Sequence, residues 1–170
     1  AYRGPELLFE AIRAHLPNMP RPLEALDLGC GTGLVAEVLA GYVDAIDGID
    51  LSPRMINRAR AKGLYRTLIA GDITDIPSEI GSDYSLVIAA DVLNYLGDLA
   101  PALRAAHARM KPGGLIVFSL EEGDVFPFDL GPGQRFRHHG RAICEWLTEC
   151  GFDLVLDAMG VLRQEKGNPV

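Results

Sequence analysis

The sequence predicts an α/β fold: a doubly wound, mostly parallel sheet with helices on both faces, three layers in all. Three observations predict it. Short apolar runs alternate with stretches of helical periodicity along the chain, the pattern of strands joined by crossover helices. The first run, Ala25-Leu26-Asp27-Leu28, passes directly into the glycine-rich turn Gly29-Cys30-Gly31-Thr32-Gly33 and then into the helix-forming residues Leu34 to Leu39. Later runs end on an acid, at Asp50, Asp72 and Asp91. In such sheets ligands bind outside the carboxyl ends of the strands, so the turn and the three acids point to one site.

Taken in order, Pro5 to Leu16 carries Leu7, Leu8, Ala11, Ile12 and Leu16 at helical spacing behind a proline start. Pro17 to Pro22 holds three prolines and connects it to the first strand. After the glycine turn a helix runs to about Gly41, and Asp44 to Asp50 reads as the second strand. Ser52 before Pro53 caps a basic helix from Pro53 to Lys62, ended by Gly63. Leu68 to Ile73 is the third strand. Tyr84 to Ala90 is a near-continuous apolar run, as a central strand buried on both faces should be. Asp98 opens a helix through Met110, Lys111-Pro112-Gly113-Gly114 turns, and Leu115 to Leu120 is the fifth strand. Residues 121–138, with Phe126, Phe128 and Phe136 among glycines and prolines, read as a lid-like loop. Ala142 to Cys150 is a helix, and Phe152 to Leu162 the next strand. The 170 residues fit a single domain, with 1–22 as its leading helix and connector.

The turn restricts the ligand. A dinucleotide fingerprint needs glycine at its sixth position, which is Leu34 here, and a phosphate loop needs a Gly-Lys-Ser/Thr ending that is absent. Asp27, two residues before the first glycine and with no basic residue in the turn, suits a cationic ligand. Asp50 lies 17 residues beyond Gly33 and can accept both hydroxyls of a ribose. Leu51 and Met55 would then flank the base.

With these residues in view, LDLGCGTG resembles the first motif of the class I S-adenosylmethionine-dependent methyltransferases, an acid followed by Gly-x-Gly-x-Gly. The resemblance implies a Rossmann-like fold, S-adenosyl-L-methionine as cofactor and methyl transfer as the activity. It implies cofactor contacts from Asp27, Gly29, Cys30 and Gly31 at the turn, from Gly71, Asp72 and Ile73 at the adenine, and from Ala90 and Asp91 where methyl group and substrate meet. Tyr2, in a Tyr-x-x-Pro entry to the leading helix, is implied to touch the ligand. The pieces ALDLGCGTGL, IDLSPRM, AADVLNYLGDL, KPGGLIVFSLE, RFRHH and VLRQEKGNPV resemble the TPR-repeat-associated branch of these enzymes, although no such repeat is present. The family closes its sheet with a final antiparallel strand. This sequence stops at Val170, where that strand should begin, so missing C-terminal residues, a partner's strand or a packed substitute is expected there.

Composition sets the acceptor class. With a net charge of −7 and a pI near 5.0, general attraction for nucleic acid or an anionic membrane is not expected. No Asn/Asp-Pro-Pro-Tyr motif stands at Asp91 to Asn94, so a small-molecule acceptor is expected. An anionic one would suit the cluster Arg135, Arg137, His138, His139 and Arg141. His138 is the favoured base for an acceptor that keeps its proton, with Asp91 as the other candidate. Cys30, Cys144 and Cys150 show no metal-ligand spacing and no disulfide framework, which with the lack of a signal peptide points to the cytoplasm and to no metal. A non-catalytic cofactor-binding module and an NAD-linked oxidoreductase are the alternatives. Oligomeric state is left open.

Overall fold

The computed structural model describes residues 2–19, 21–131, 133–160, 164–165 and 168–169. Strand β1 (Glu24–Leu28) pairs in parallel with β2 (Ala45–Asp50) on one side and with β4 (Tyr84–Ala89) on the other. β3 (Thr67–Ala70) extends one edge and β5 (Met110–Phe118) the other, in the order β3-β2-β1-β4-β5. The winding therefore reverses between β1 and β4, and the crevice outside their carboxyl ends is the natural ligand site.

Strand periodicity divides the core into two layers. Ala25, Leu86 and Ile88 face α1 (Gly4–Ile12) and α2 (Leu34–Leu39), packing against Leu8, Ile12, Val35 and Leu39. Leu26, Leu28, Val87 and Ala89 face the opposite side, against Leu103 and Ala106 of α4 (Ala100–His107) and Leu147 of α5 (Gly140–Glu149). All six residues of β4 are buried, which explains its near-continuous apolar sequence. Helix α3 (Pro53–Arg60) buries Ile56 and Ala59 and exposes its arginines, and the Ser52 hydroxyl accepts the Met55 N–H at 3.4 Å as its cap.

At the amino ends of the strands, Asp47 is 2% exposed yet charged. Arg66, just ahead of β3, reaches it through Nε at 3.1 Å and also meets Glu24 at 2.9 Å, while Tyr84 donates its hydroxyl to Asp47 at 2.6 Å. These side chains tie β1, β2 and β4 together at the end of the sheet away from the site.

Four expectations are corrected. Residues 121–138 are not an irregular loop: β6 (Glu121–Glu122), β7 (Phe128–Leu130) and β8 (Phe136–His138) form a small sheet in the order β6-β8-β7. Phe128 and Phe136 stack edge to face with centroids 5.4 Å apart, and Arg137 pairs with Asp129, so cross-strand contacts supply what two- and three-residue runs cannot signal. The turn Lys111–Gly114 lies inside β5 as a bulge: Met110 already pairs with Tyr84, and the register shifts before Leu86. Helix α4 consequently ends at His107 rather than Met110. Residues 152–160 form no strand, and Leu154, Val155, Leu156 and Met159 are exposed. An alternating apolar pattern records propensity, whereas a strand requires a neighbour to take its backbone groups. Val161 and Leu162 of that expected strand lie outside the described residues. Beyond them β9 (Gln164–Glu165) pairs antiparallel with β10 (Asn168–Pro169). No helix among the described residues is long and apolar enough to cross a membrane.

Candidate active site

The glycine turn is held by Asp50. Its Oδ2 accepts the Gly31 N–H at 2.9 Å and its Oδ1 the Ser52 N–H at 2.8 Å, so one carboxylate clamps the turn after β1 to the end of β2. Gly29 has φ +67, and a Cβ there would come within 2.3 Å of Val92 Cγ2. Only glycine fits. Gly31 has φ +53, with no other atom closer than 4.0 Å to a Cβ position, which leaves open space against bare backbone.

Asp27 lies fully buried beneath this turn. Tyr65 donates its hydroxyl to Oδ2 at 2.7 Å, while Oδ1 has no hydrogen-bond partner among the described residues. Burial pushes the carboxyl up to about 7; the Tyr65 bond opposes that rise and the Asp50 charge adds to it. A buried acceptor oxygen without a donor, beside an open glycine turn, fits a ligand that brings a cationic or N–H group. Burial likewise raises the Cys30 thiol, with Asp27 and Asp50 adding to it, so Cys30 stays neutral in the turn. Tyr2, half-buried ahead of α1, sits close enough to Asp91 and Asp27 that burial and these two carboxylates raise its hydroxyl.

The remaining expected residues stand near the carboxyl ends of β2, β3 and β4. Leu51 is 72% exposed and Met55 half-buried at the start of α3. Asp72 turns back on Thr74, accepting its N–H and its hydroxyl, both at 2.8 Å, while Ile73 is buried. A Cβ on Gly71 would press on Pro77 at 2.9 Å. Ala90 and Asp91 follow β4. Asp91 has φ 56, a conformation that costs energy for a residue with a side chain; its N–H donates to the Ser119 hydroxyl and its Oδ1 accepts from Asn94 at 2.8 Å.

Two expectations about chemistry change. His138 is fully buried: its Nε2 lies 2.9 Å from the Leu96 carbonyl and 3.1 Å from that of Gly97, so Nε2 carries the proton and holds the loop after β4 to the small sheet. Burial lowers its pKa and Trp146 and Phe128 surround it, so it is a packed tether rather than an exposed base. His138→Leu is accordingly expected to lower unfolding stability by about 1–3 kcal/mol while leaving cofactor affinity unchanged, as thermal melts and calorimetry would read. The basic cluster is neutralised as well. Arg137 pairs with Asp129 and Arg141 with Glu145, while Arg135 lies 3.4 Å from Glu121 and 3.8 Å from Asp91.

Sequence reasoning missed Tyr65, Asn94 and Glu121. Glu121 follows the fifth strand as Asp50 and Asp91 follow theirs, a signal that could have found it. Tyr65 and Asn94 carry no comparable local mark.

Comparison with known proteins decides the family. A family model described as "Methyltransferase domain" matches residues 26–118, more than half of the chain, from within β1 to the end of β5. The chain belongs to the class I methyltransferases. This methyltransferase domain is 34% identical over 105 residues to a ubiquinone biosynthesis O-methyltransferase of Methylobacterium nodulans, covering 58% of this chain and 42% of that protein. It spans less than half the length of the curated relatives it matches. Its fold is that of an S-adenosylmethionine-dependent methyltransferase from Clostridium acetobutylicum, with a TM-score of 0.73 at 19% identity, covering 98% of this chain and 87% of that one. The magnesium protoporphyrin IX methyltransferase of Synechocystis, solved with bound S-adenosylmethionine, gives 0.69 at 20% identity, covering 97% and 75%. S-adenosylmethionine is the cofactor of this family.

Proposed function

We propose that this chain is a single catalytic domain that transfers a methyl group from S-adenosylmethionine to an oxygen atom of a small-molecule acceptor. The observation that carries the reading is the buried Oδ1 of Asp27, without a hydrogen-bond partner among the described residues, beneath a glycine turn that leaves open space at Gly31. Oxygen as the accepting atom is supported by the relatives named for O-methylation. The cofactor supplies an electrophilic methyl group on a sulfonium, and the protein's main task is to align it with the acceptor. Asp27 binds a cationic group, Asp50 accepts the ribose hydroxyls, Leu51, Met55 and Ile73 enclose the adenine with Gly71 and Asp72 at its edge, and Tyr2 covers the crevice. Ala90 and Asp91 border the acceptor.

With His138 packed away, Asp91 is the group proposed to take the proton of a hydroxyl acceptor. Asn94 and Arg135 hold its carboxylate in place. Asp91→Asn is therefore expected to reduce turnover by about 10²–10⁴-fold while changing S-adenosylhomocysteine affinity far less, a split visible in single-turnover rates against calorimetry. The paired arginines favour a neutral acceptor over an anionic one. Membership of the TPR-associated branch is supported by the six sequence pieces alone, and a cytoplasmic location by three free thiols. The deciding experiment is titration with S-adenosylhomocysteine followed by a mass-spectrometric screen of phenols, catechols and aliphatic alcohols for a gain of one methyl group. Methylated product supports the reading. Binding without turnover across the panel would reduce the domain to a cofactor-binding module, and no binding would reject both.

A further inference from the structure

Tyr65 is not part of the glycine turn, yet its ring packs against Gly33 and its hydroxyl reaches the carboxylate beneath the turn. It projects from the connection between α3 and β3. A Cβ on Gly33 would stand 3.0 Å from its ring, and one on Gly48 of β2 2.8 Å, so both glycines leave room for the tyrosine. Its hydroxyl donates to Asp27 Oδ2 at 2.7 Å. The single phenolic proton is thereby committed to Asp27, and burial together with the Asp27 charge keeps it on the phenol.

We propose that Tyr65 is a positioning residue of the cofactor site: it occupies one oxygen of Asp27, so that the other is presented as an anion to a cationic group of S-adenosylmethionine, and cofactor uptake expels a proton from Asp27. The inference rests on the cofactor reading above. The groups whose charges couple to Asp27 are Tyr65, Cys30 in the turn, Asp50 at the end of β2 and Tyr2 ahead of α1. None is basic. Lys62, whose stem passes Gly33, gives its ammonium to Glu37 at 2.9 Å. Among these groups only the Tyr65 hydroxyl favours the charged form of the carboxylate, and a bound cation would be the second to do so. Without the cofactor the carboxyl titrates at about 7, in the range where a small gain of stabilisation decides its charge.

The sign follows from linkage. A ligand that requires the anion loses affinity as pH falls through the pKa of the unliganded site. Calorimetric titration of the whole chain with S-adenosylmethionine and with S-adenosylhomocysteine, from pH 5.5 to 8.5, is expected to show affinity about tenfold weaker at pH 6 than at pH 8. Repeating the pH 6 titration in buffers of different ionisation enthalpy should reveal release of nearly one proton. Tyr65→Phe removes only the hydroxyl, and the midpoint of the affinity profile should move up by about one pH unit, with near wild-type affinity recovered at the alkaline end. Asp27→Asn should bind weakly, with a flat profile and no proton release. A Tyr65→Phe curve lowered by the same factor at every pH, or one that coincides with wild type, overturns the proposal, as does wild-type binding without pH dependence. Wild-type protein silent toward both ligands at every pH would reject the cofactor reading itself.

Discussion

Asp50→Ala is expected to weaken S-adenosylhomocysteine binding by about a hundredfold or more. Two effects act together. The ribose loses a charged acceptor, and hydrogen bonds to charged groups are worth about 1.5–3 kcal/mol each, so two of them exceed a factor of a hundred. The Gly31 and Ser52 N–H groups also lose their shared partner, which frees the turn that must meet the cofactor. Asp50→Asn is expected to fall between the two, since one amide oxygen can still accept one N–H. Calorimetry against S-adenosylhomocysteine, with circular dichroism to confirm folding, measures both. Undiminished affinity in Asp50→Ala would remove the ribose contact from the proposed site.

Arg66→Ala is expected to cost about 3 kcal/mol of unfolding free energy, a large share of the roughly 5–15 kcal/mol that holds a typical domain together. The value sits at the lower end for a broken buried pair because the guanidinium is itself 45% exposed, while Asp47 is not. Burial alone would raise the Asp47 carboxyl, but hydrogen bonds from Arg66, Tyr84 and Thr67 outweigh it and hold the group below its ordinary range. A depressed carboxylate stabilises the fold above its unfolded pKa of about 4 and loses that contribution as pH falls through the folded value. Without Arg66 the burial effect wins and the sign reverses: acid protonates Asp47 and relieves part of the loss. Urea unfolding of wild type and Arg66→Ala at pH 4 and pH 7 should show a smaller difference between them at the lower pH. Asp27 opposes Asp47 in the wild type, since its raised carboxyl contributes stability below about pH 4 that fades as pH climbs to about 7.

The sequence by itself determined the frame and the class of ligand. A buried strand entering three glycines, with no sixth-position glycine at Leu34 and with Asp27 ahead of the turn, carries its information locally, because backbone dihedrals and chain entry are set by neighbours within a few residues. Asp50 was legible for the same reason, standing at the end of an apolar run. The central strand β4 could be read because two-sided burial demands a near-continuous apolar run.

Tertiary structure alone decided what each polar group touches. His138 and Arg135 carry the same composition signal as any exposed basic pair, yet one is sealed beneath Trp146 and the other lies between Asp91 and Glu121. Tyr65 stands 38 residues from the carboxylate it holds, and Arg66 stands 19 from Asp47. The small sheet of β6, β7 and β8 and the unpaired segment 152–160 show the same limit from the two sides. Short runs become strands where aromatic partners meet them, and a well-patterned run does not where no strand lies alongside. Local chemistry writes turns and faces into the sequence, but hydrogen-bond partners and charge states depend on which distant groups share a buried space.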